Sequence, residues 1–374
     1  MKTVLFLIRS LNAGGAERQL VVTAKGLAER GHKVTILTFY GGGFYEAELT
    51  GSSVQLISLN KKGRWDLLAF FYRLLKVLHQ QRPQVIYSFL NSANILAAIY
   101  QPFLSSCRIV WGVRASNMDL DQYDWLSRWL YWVECRLARF ADVIIANSHA
   151  GLEYAVQHGF PKQKMTVIPN GIDTERFYPD KSKGEPLRQL WGIANDEFLI
   201  GVVGRIDPMK GIPTFLEAAA RLKQQHDNVR FVWVGDGESR YKNAMYELAM
   251  KLGVNDIVWA GWHTDMLAVY NAFDMASSSS YGEGFPNVLG EAMACGVPCV
   301  VTDVGDSGLV VGETGKVVSA KDSEALSTTW HEVLSLDDDE LKKLSAKARA
   351  RVVSEYSMES LLNKTEDALF YEKR

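Results

Sequence analysis

The sequence has little of several features that would define other classes of protein. No run of 18 apolar residues occurs in its 374 residues, so no transmembrane helix is expected. The apolar run Val4–Ile8 near the start is too short for a signal peptide. The net charge of −2 gives no reason to expect a nucleic-acid partner. We therefore predict a cytoplasmic protein, for which any role at a membrane would be peripheral.

Cysteine is also scarce. The four residues Cys107, Cys135, Cys295 and Cys299 lie in apolar surroundings and show no Cys-x-x-Cys spacing. That spacing is the usual signature of a structural zinc site. We therefore expect reduced, structural thiols and no metal bound by cysteine.

The dinucleotide fingerprint is missing as well. The first apolar run leads into Gly14 and Gly15, which read as a glycine turn before a helix, but the spacing is not Gly-x-Gly-x-x-Gly. The second apolar run, Val34–Thr38, is not followed by an acidic residue. A nicotinamide cofactor is therefore not expected. Gly15 can still bring backbone close to a ligand, although a tight structural turn explains it equally well.

Short apolar runs alternate with helical segments along the whole chain, which predicts α/β architecture with parallel, doubly wound sheets. A chain of this length is too long for one ordinary core and suits two domains. We predict an N-terminal domain over 1–177, a C-terminal domain over 178–355 and a terminal helical segment over 356–374. The polar stretch Pro179–Pro186 is interpreted as a linker.

The most informative stretch runs from Ser280 to Gly296 and predicts a glycine-containing turn followed by a short helix. The amides at the start of such a helix favour an anion. The same stretch carries two carboxylates, Glu283 and Glu291, which can accept hydrogen bonds from hydroxyl groups. A ligand with both phosphates and hydroxyls, such as a sugar nucleotide, would use both features. The alternative is a pair of glutamates on a solvated helix face.

This Glu-x7-Glu stretch resembles the motif of family 4 glycosyltransferases, retaining enzymes of the two-domain GT-B fold, and the resemblance covers nearly the whole chain. It implies two Rossmann-like domains facing a cleft, with the last helix crossing back to the N-terminal domain. It also implies transfer from a UDP- or GDP-linked sugar to a glycan or polyprenyl-linked acceptor in polysaccharide or glycolipid synthesis. Glu283 would hold sugar hydroxyls and Glu291 the ribose. The other implied donor contacts are Gly15, Gly204, Gly284, Phe285, Pro286, Asn287 and Val288.

Two cations, Arg205 and Lys210, follow the apolar run Phe198–Val203. Two cations at a helix entrance suit a diphosphate leaving group, and this is the role of the matching residues in the family. With Glu283 they form the predicted catalytic set. These two cations take the place of a metal ion at the diphosphate, so neither a metal nor another cofactor is expected.

Arg114 and Asn117 follow another apolar run, Arg108–Gly112. Many relatives carry a histidine in this loop that faces the transferred sugar, and this chain offers Arg114 instead. Arg114 and Asn117 could therefore hold a phosphate or the acceptor. A structural arginine that ties the loop is the alternative.

Two segments, Lys61–Lys76 and Trp125–Arg139, combine cations with large aromatic residues. Basic amphipathic helices of this kind bind anionic membrane surfaces. The alternative is that their apolar faces are core and their cations are solvated. Two other functions also remain open: a sugar-nucleotide epimerase of the same architecture, and a sugar-nucleotide-binding protein without activity.

Overall fold

The computed structural model describes residues 1–63, 65–104, 106–114 and 125–371. The chain divides into two compact units. Unit 1 contains Met1–Asn170 and Glu359–Arg374, and unit 2 contains Gly171–Met358. In the ranges given above, no helix is both long and apolar enough to cross a membrane.

Unit 1 is built on short strands, most of which are apolar and buried on both faces. They are β1 (Thr3–Ile8), β2 (Lys33–Thr38), β3 (Gln55–Ser58), β4 (Val85–Phe89), β5 (Arg108–Val113), β6 (Val143–Ala146) and β7 (Met165–Val167). They form one parallel sheet in the order β3-β2-β1-β4-β5-β6-β7. The helices between them are α1 (Gly15–Glu29), α2 (Leu68–Gln81), α3 (Asn91–Tyr100), α4 (Trp125–Leu137) and α5 (His149–Gln157).

Unit 2 repeats this plan with six strands. They are β8 (Phe198–Val203), β9 (Val229–Val234), β10 (Val258–Gly261), β11 (Met275–Ser278), β12 (Cys299–Thr302) and β13 (Lys316–Val318). The order is β10-β9-β8-β11-β12-β13, again parallel. The helices are α6 (Lys181–Leu190), α7 (Ile212–Lys223), α8 (Ser239–Lys251), α9 (Met266–Ala272), α10 (Asn287–Ala294), α11 (Ser307–Val311), α12 (Ser323–Leu334) and α13 (Asp338–Glu355).

Each face of the second sheet is covered by its own apolar core. One core contains Phe215 and Trp330 from α7 and α12, and the other contains Val269 and Leu289 from α9 and α10. Helices on both faces of a parallel sheet define a doubly wound α/β fold. The predicted fold class is confirmed.

The last helix, α14 (Met358–Phe370), packs against α1 within unit 1. A Cβ atom at Gly26 of α1 would lie 2.5 Å from Leu362, so the absence of a side chain there lets the two helices approach closely. Glu366 of α14 accepts hydrogen bonds from Arg30 at 2.5 Å and from His32 at 2.7 Å. These contacts explain why the terminal segment belongs to the unit formed by the N-terminal residues.

The predicted linker at Pro179–Pro186 is wrong, because this stretch begins helix α6. Asp180 caps that helix by accepting a hydrogen bond from the Ser182 amide at 3.2 Å. Gly184 is buried, and a Cβ there would lie 2.3 Å from the Ala272 nitrogen of α9. Close packing of α6 on α9 therefore stabilises a sequence whose polar composition alone favours irregular structure.

Candidate active site

The candidate site lies at the carboxyl edge of the unit 2 sheet. The strand order reverses between β8 and β11, which are hydrogen-bonded neighbours. Ligands of doubly wound sheets bind at such a switch point, beyond the carboxyl ends of the strands. The loop with Arg205 and Lys210 follows β8, and the loop with Glu283 follows β11. The fold therefore brings the two predicted motifs to one place.

Lys210 and Glu283 form an ion pair at the centre of this edge. Lys210 Nζ lies 2.5 Å from Glu283 Oε1, and the side chains are 22% and 14% exposed. The Ser280 hydroxyl donates to the same carboxylate oxygen at 2.6 Å. The cation and the carboxylate are thus held side by side in a largely buried position, where their charges are only weakly screened.

Backbone contacts hold the two loops together. The Tyr281 amide donates to the Met209 carbonyl at 2.8 Å, and the Ser279 hydroxyl donates to the Lys210 carbonyl at 2.9 Å. Gly211 has φ +62°, and a Cβ there would lie 1.9 Å from the Ser279 oxygen. A side chain at position 211 would therefore push the Lys210 loop away from the Glu283 loop.

Glu291 lies on α10 and is 6% exposed. The Tyr270 hydroxyl of α9 donates to its Oε2 at 2.8 Å. The predicted short helix begins at Asn287 with Pro286 as its N-cap, and Gly296 just beyond its end has φ +72°.

The residues around the start of α10 differ in how far their side chains are buried. The Phe285 side chain is buried and its ring lies 5.5 Å from that of Tyr356, so a donor contact from Phe285 would come from its backbone. The Gly284 carbonyl accepts from the Asp306 amide at 3.0 Å. Asn287 and Val288 are half-buried on the first turn.

Arg205 is placed differently from Lys210. Its side chain is 81% exposed, and its guanidinium lies 3.9 Å from Asp207. A Cβ at the neighbouring Gly204 would make an ordinary contact of 3.5 Å with Lys210 Cε. Space alone therefore does not require glycine at position 204, and its role in donor binding remains a prediction.

In unit 1, Gly15 begins α1, which follows β1 at the carboxyl edge of that sheet. A Cβ at Gly15 would meet no heavy atom of the described structure within 4 Å. The space beside Gly15 is open, and close approach of a ligand remains the predicted reason for glycine.

Arg114 directly follows β5 and has protein partners. It donates to Asn170 Oδ1 at 2.8 Å and to the Tyr87 hydroxyl at 3.3 Å, and it lies over the Phe89 ring. These contacts fit the structural role that was left open, while its binding role remains a prediction. Asn117 lies outside the described residues.

Two site residues had no predicted role. Tyr270 lies 21 residues before Glu291, and its hydroxyl is placed by the packing of α9 on α10. Ser280 belongs to the informative stretch, and its spacing of three residues from Glu283 was a usable signal.

Neither buried cysteine adds a nucleophile. Burial raises the pKa of Cys295 to about 12, with a contribution from Glu291, and burial raises that of Cys299 to about 12.

A doubly wound sheet with this pair of motifs at its switch point fits a transferase that uses a nucleotide sugar. Residues 13–176 match the model described as Glycosyltransferase Family 4, and residues 197–335 match that of Glycosyl transferases group 1. Together these ranges span about four fifths of the chain. The chain therefore belongs to the family 4 glycosyltransferases.

Known proteins similar to this chain are consistent with that assignment. It is 26% identical to the UDP-Gal:alpha-D-GlcNAc-diphosphoundecaprenol alpha-1,3-galactosyltransferase of Escherichia coli, over 79% of this chain and 77% of that protein. It is 29% identical to the D-inositol 3-phosphate glycosyltransferase of Mycolicibacterium smegmatis, over 59% and 52% of the two chains. The crystal structure of Anabaena HepE in complex with UDP superimposes with a TM-score of 0.85, at 24% identity and 99% coverage of both chains.

Proposed function

We propose that this glycosyltransferase moves a hexosyl or N-acetylhexosaminyl group from a UDP- or GDP-linked donor to a polyprenyl-linked glycan, with retention and without a metal ion. The observation that carries this proposal is the Lys210–Glu283 ion pair in front of α10. A buried carboxylate, Glu291, lies on the same helix.

The diphosphate and the hydroxyl groups of the donor each have matching groups at this site. The diphosphate takes Lys210 as its counter-ion, together with the amides at the start of α10. This exchange frees the Glu283 carboxylate, which then accepts hydrogen bonds from sugar hydroxyls. Glu291 accepts from the ribose hydroxyls, because a carboxylate can accept several hydrogen bonds, of which Tyr270 supplies one.

The reaction breaks the bond between the anomeric carbon and the diphosphate oxygen, which keeps the electron pair. Lys210 and Arg205 neutralise the charge that grows on this oxygen, and their action replaces that of a metal ion. The acceptor hydroxyl attacks from the face that the diphosphate leaves. Its proton passes to the departing phosphate oxygen, so the new bond has the configuration of the old one.

The similar proteins support a choice of substrates to test first. The Escherichia coli relative uses UDP-Gal and GlcNAc-diphosphoundecaprenol, as its name states. HepE has been crystallised with UDP and with UDP-glucose. We therefore place UDP-linked hexoses and diphosphoundecaprenol-linked acceptors first, ahead of GDP-linked donors.

The test is a transfer assay with UDP-galactose, UDP-glucose, UDP-N-acetylglucosamine and GDP-mannose. GlcNAc-diphosphoundecaprenol serves as the acceptor, and the product is detected by mass spectrometry and its anomeric configuration by NMR. From a donor whose sugar is α-linked, the expected product is also α-linked. No product is expected from the Glu283→Gln variant. An inverted linkage would contradict retention, and transfer by the Glu283→Gln variant at the full rate would remove the proposed role of Glu283.

The structure also supports the predicted membrane surface of unit 1. On α4, Trp125, Trp129 and Trp132 are 77%, 53% and 54% exposed. At the start of α2, Leu68 and Tyr72 are 88% and 69% exposed, and Trp65 just before it is 86% exposed. Large exposed apolar groups beside cations are typical of peripheral membrane contacts.

One helix joins these two segments into a single layer. The Tyr100 hydroxyl of α3 donates to the Phe71 carbonyl of α2 at 2.8 Å. Asn91 and Asn94 of α3 donate to the buried Glu134 of α4, each at 2.8 Å. Since α2, α3 and α4 lie side by side, we propose that this layer contacts the cytoplasmic face of the membrane, where a polyprenyl-linked acceptor is embedded.

A further inference from the structure

Unit 2 contains a cleft that shares Arg205 with the donor-binding roles above, while its other lining residues have no role there. It lies between the loop after β8 and the start of α8 and has a volume of about 470 Å³. Small-molecule sites have volumes of roughly 300 to 1,000 Å³, so the cleft is large enough to hold a ligand. Its lining side chains include Arg205, Asp207, Glu238, Arg240 and Tyr241.

Several polar groups of this cleft are uncommitted. In the part of the chain that the structure describes, the side chains of Glu238 and Arg240 make no hydrogen bond or ion pair. Asp207 caps the Met209 amide through one oxygen at 2.9 Å, and its other oxygen lies 3.9 Å from Arg205. Hydrogen-bond donors and hydrogen-bond acceptors are therefore both available to a ligand at the wall of the cleft.

The charges of the cleft balance. Arg205 and Arg240 contribute two positive charges, and Asp207 and Glu238 contribute two negative charges. If Arg205 faces the donor diphosphate, a second phosphate in the cleft would meet two carboxylates and one cation, so the rest of the cleft disfavours an anionic ligand. A neutral ligand rich in hydroxyl groups can donate to the carboxylates and accept from the guanidinium groups.

Tyr241 adds an aromatic surface next to the reaction centre. It is half-buried, and burial raises the pKa of its hydroxyl, with further contributions from nearby Tyr281 and Asp207. Tyr281 lies two residues before Glu283, and its hydroxyl is 2.8 Å from that of Thr214. The aromatic side of the cleft therefore lies beside the loop that carries Glu283.

Balanced polar groups around an aromatic ring match a carbohydrate, because a pyranose has hydroxyls at its rim and C–H groups on its faces. We propose that this cleft binds neutral sugar residues of the acceptor glycan, beyond the residue that receives the transferred sugar. The proposal rests on the proposed glycosyl transfer and adds that the acceptor is an oligosaccharide. It assigns Glu238, Arg240 and Tyr241 to acceptor selection.

The test measures binding of neutral di- and trisaccharides of glucose, galactose and N-acetylglucosamine by saturation-transfer NMR, in the presence of saturating UDP. UDP keeps the sugars out of the donor site. At least one neutral trisaccharide should bind. Its Kd should rise roughly tenfold in Tyr241→Ala and in Arg240→Ala, as expected for the loss of one strong contact. Lys251→Ala, on the last turn of the same helix and outside the cleft, serves as the matched control.

Three results would overturn the proposal. They are the absence of binding by any neutral sugar, tighter binding of the phosphorylated forms, and unchanged affinity in both cleft variants. A rise in the donor KM of Tyr241→Ala would also overturn it, because the cleft would then belong to the donor site. If UDP itself fails to bind, the proposed function fails, whereas loss of sugar binding with intact UDP binding removes this inference alone.

Discussion

Lys210 Nζ and Glu283 Oε1 lie 2.5 Å apart, although 73 residues separate them in the sequence. The pair exists because the strands that deliver the two residues, β8 and β11, are neighbours in the sheet. In the proposed mechanism, the cation binds the diphosphate of the sugar nucleotide and the carboxylate binds its sugar.

The first prediction concerns Lys210. Lys210→Ala should lower kcat more than it raises the donor KM, because the charge on the leaving oxygen grows in the transition state. Arg205→Ala should show the same pattern. Lys316→Ala, which removes an exposed lysine paired with Glu332, should leave both constants unchanged. Steady-state kinetics measure these constants, and a pure KM effect of both site variants would contradict the catalytic role.

The second prediction concerns Glu291. Glu291→Ala should weaken donor binding by roughly 10- to 150-fold, the equivalent of about 1.5 to 3 kcal/mol for hydrogen bonds to a charged group. Calorimetric titration with UDP measures the affinity. Tyr270→Phe removes one hydrogen bond to Glu291 but keeps the carboxylate, so its effect should be smaller. Unchanged UDP affinity in folded Glu291→Ala would exclude the ribose contact.

The third prediction concerns metal ions. Transfer should proceed at an unchanged rate in EDTA, since the proposed mechanism assigns the diphosphate charge to side chains and helix amides. The rate is compared with that after addition of Mg²⁺ or Mn²⁺ to the same sample. A rate that is lost in EDTA and returns with either ion would require a different site.

The fourth prediction concerns pH and the attachment of α14 to α1. Burial raises the pKa of Glu366, but hydrogen bonds from His32 and Arg30 outweigh burial and hold this pKa below its ordinary value of 4.5. Above pH 4.5 the carboxylate is ionised in both states, and its folded-state contacts stabilise the protein. As the pH falls below 4.5, the unfolded chain takes up the proton first, so this stability is lost.

Glu366→Gln should therefore lower the thermal midpoint by roughly 1 to 3 °C at pH 7, as expected for a partly exposed ion pair. The difference from the unmodified protein should shrink below pH 4.5. Asp367→Asn, at the exposed neighbouring position of the same helix, is the control. A difference that stays constant from pH 3 to 7 would show that the contacts do not depend on the charge of Glu366.

The fifth prediction concerns the membrane. The protein should bind anionic vesicles weakly and in a salt-sensitive way, and should not bind neutral vesicles, because each surface cation contributes roughly 1 kcal/mol near an anionic surface. Replacement of Lys61, Lys62 and Arg64 by Glu should abolish flotation with the vesicles. Arg64 lies outside the described residues. Donor hydrolysis should be unaffected by this change.

Trp129→Ser combined with Trp132→Ser should weaken the same binding, since both rings are about half exposed on α4. Met250→Ser, which removes an exposed apolar residue of unit 2, should not weaken it. Equal flotation with anionic and neutral vesicles, or none with either at low salt, would contradict the electrostatic contact.

Much of this architecture follows from the sequence by itself. Each buried parallel strand is a short apolar run, and loops at the strand ends carry the glycines and charged residues. The end of α10 was predictable from Gly296, because glycine tolerates the left-handed conformation that ends a helix. The positions of Lys210, Glu283 and Glu291 were also predictable, because local sequence patterns place them after the carboxyl ends of strands or on the helix that follows.

Tertiary structure decided what depends on distant parts of the chain. The approach of Lys210 to Glu283 depends on strand order, and the bond from Tyr270 to Glu291 depends on how α9 packs on α10. The polar segment from Lys181 became a helix because Gly184 lets it pack closely on α9. Composition and periodicity describe neighbours along the chain, whereas these contacts form between residues brought together by packing, which is why they appear only in the folded structure.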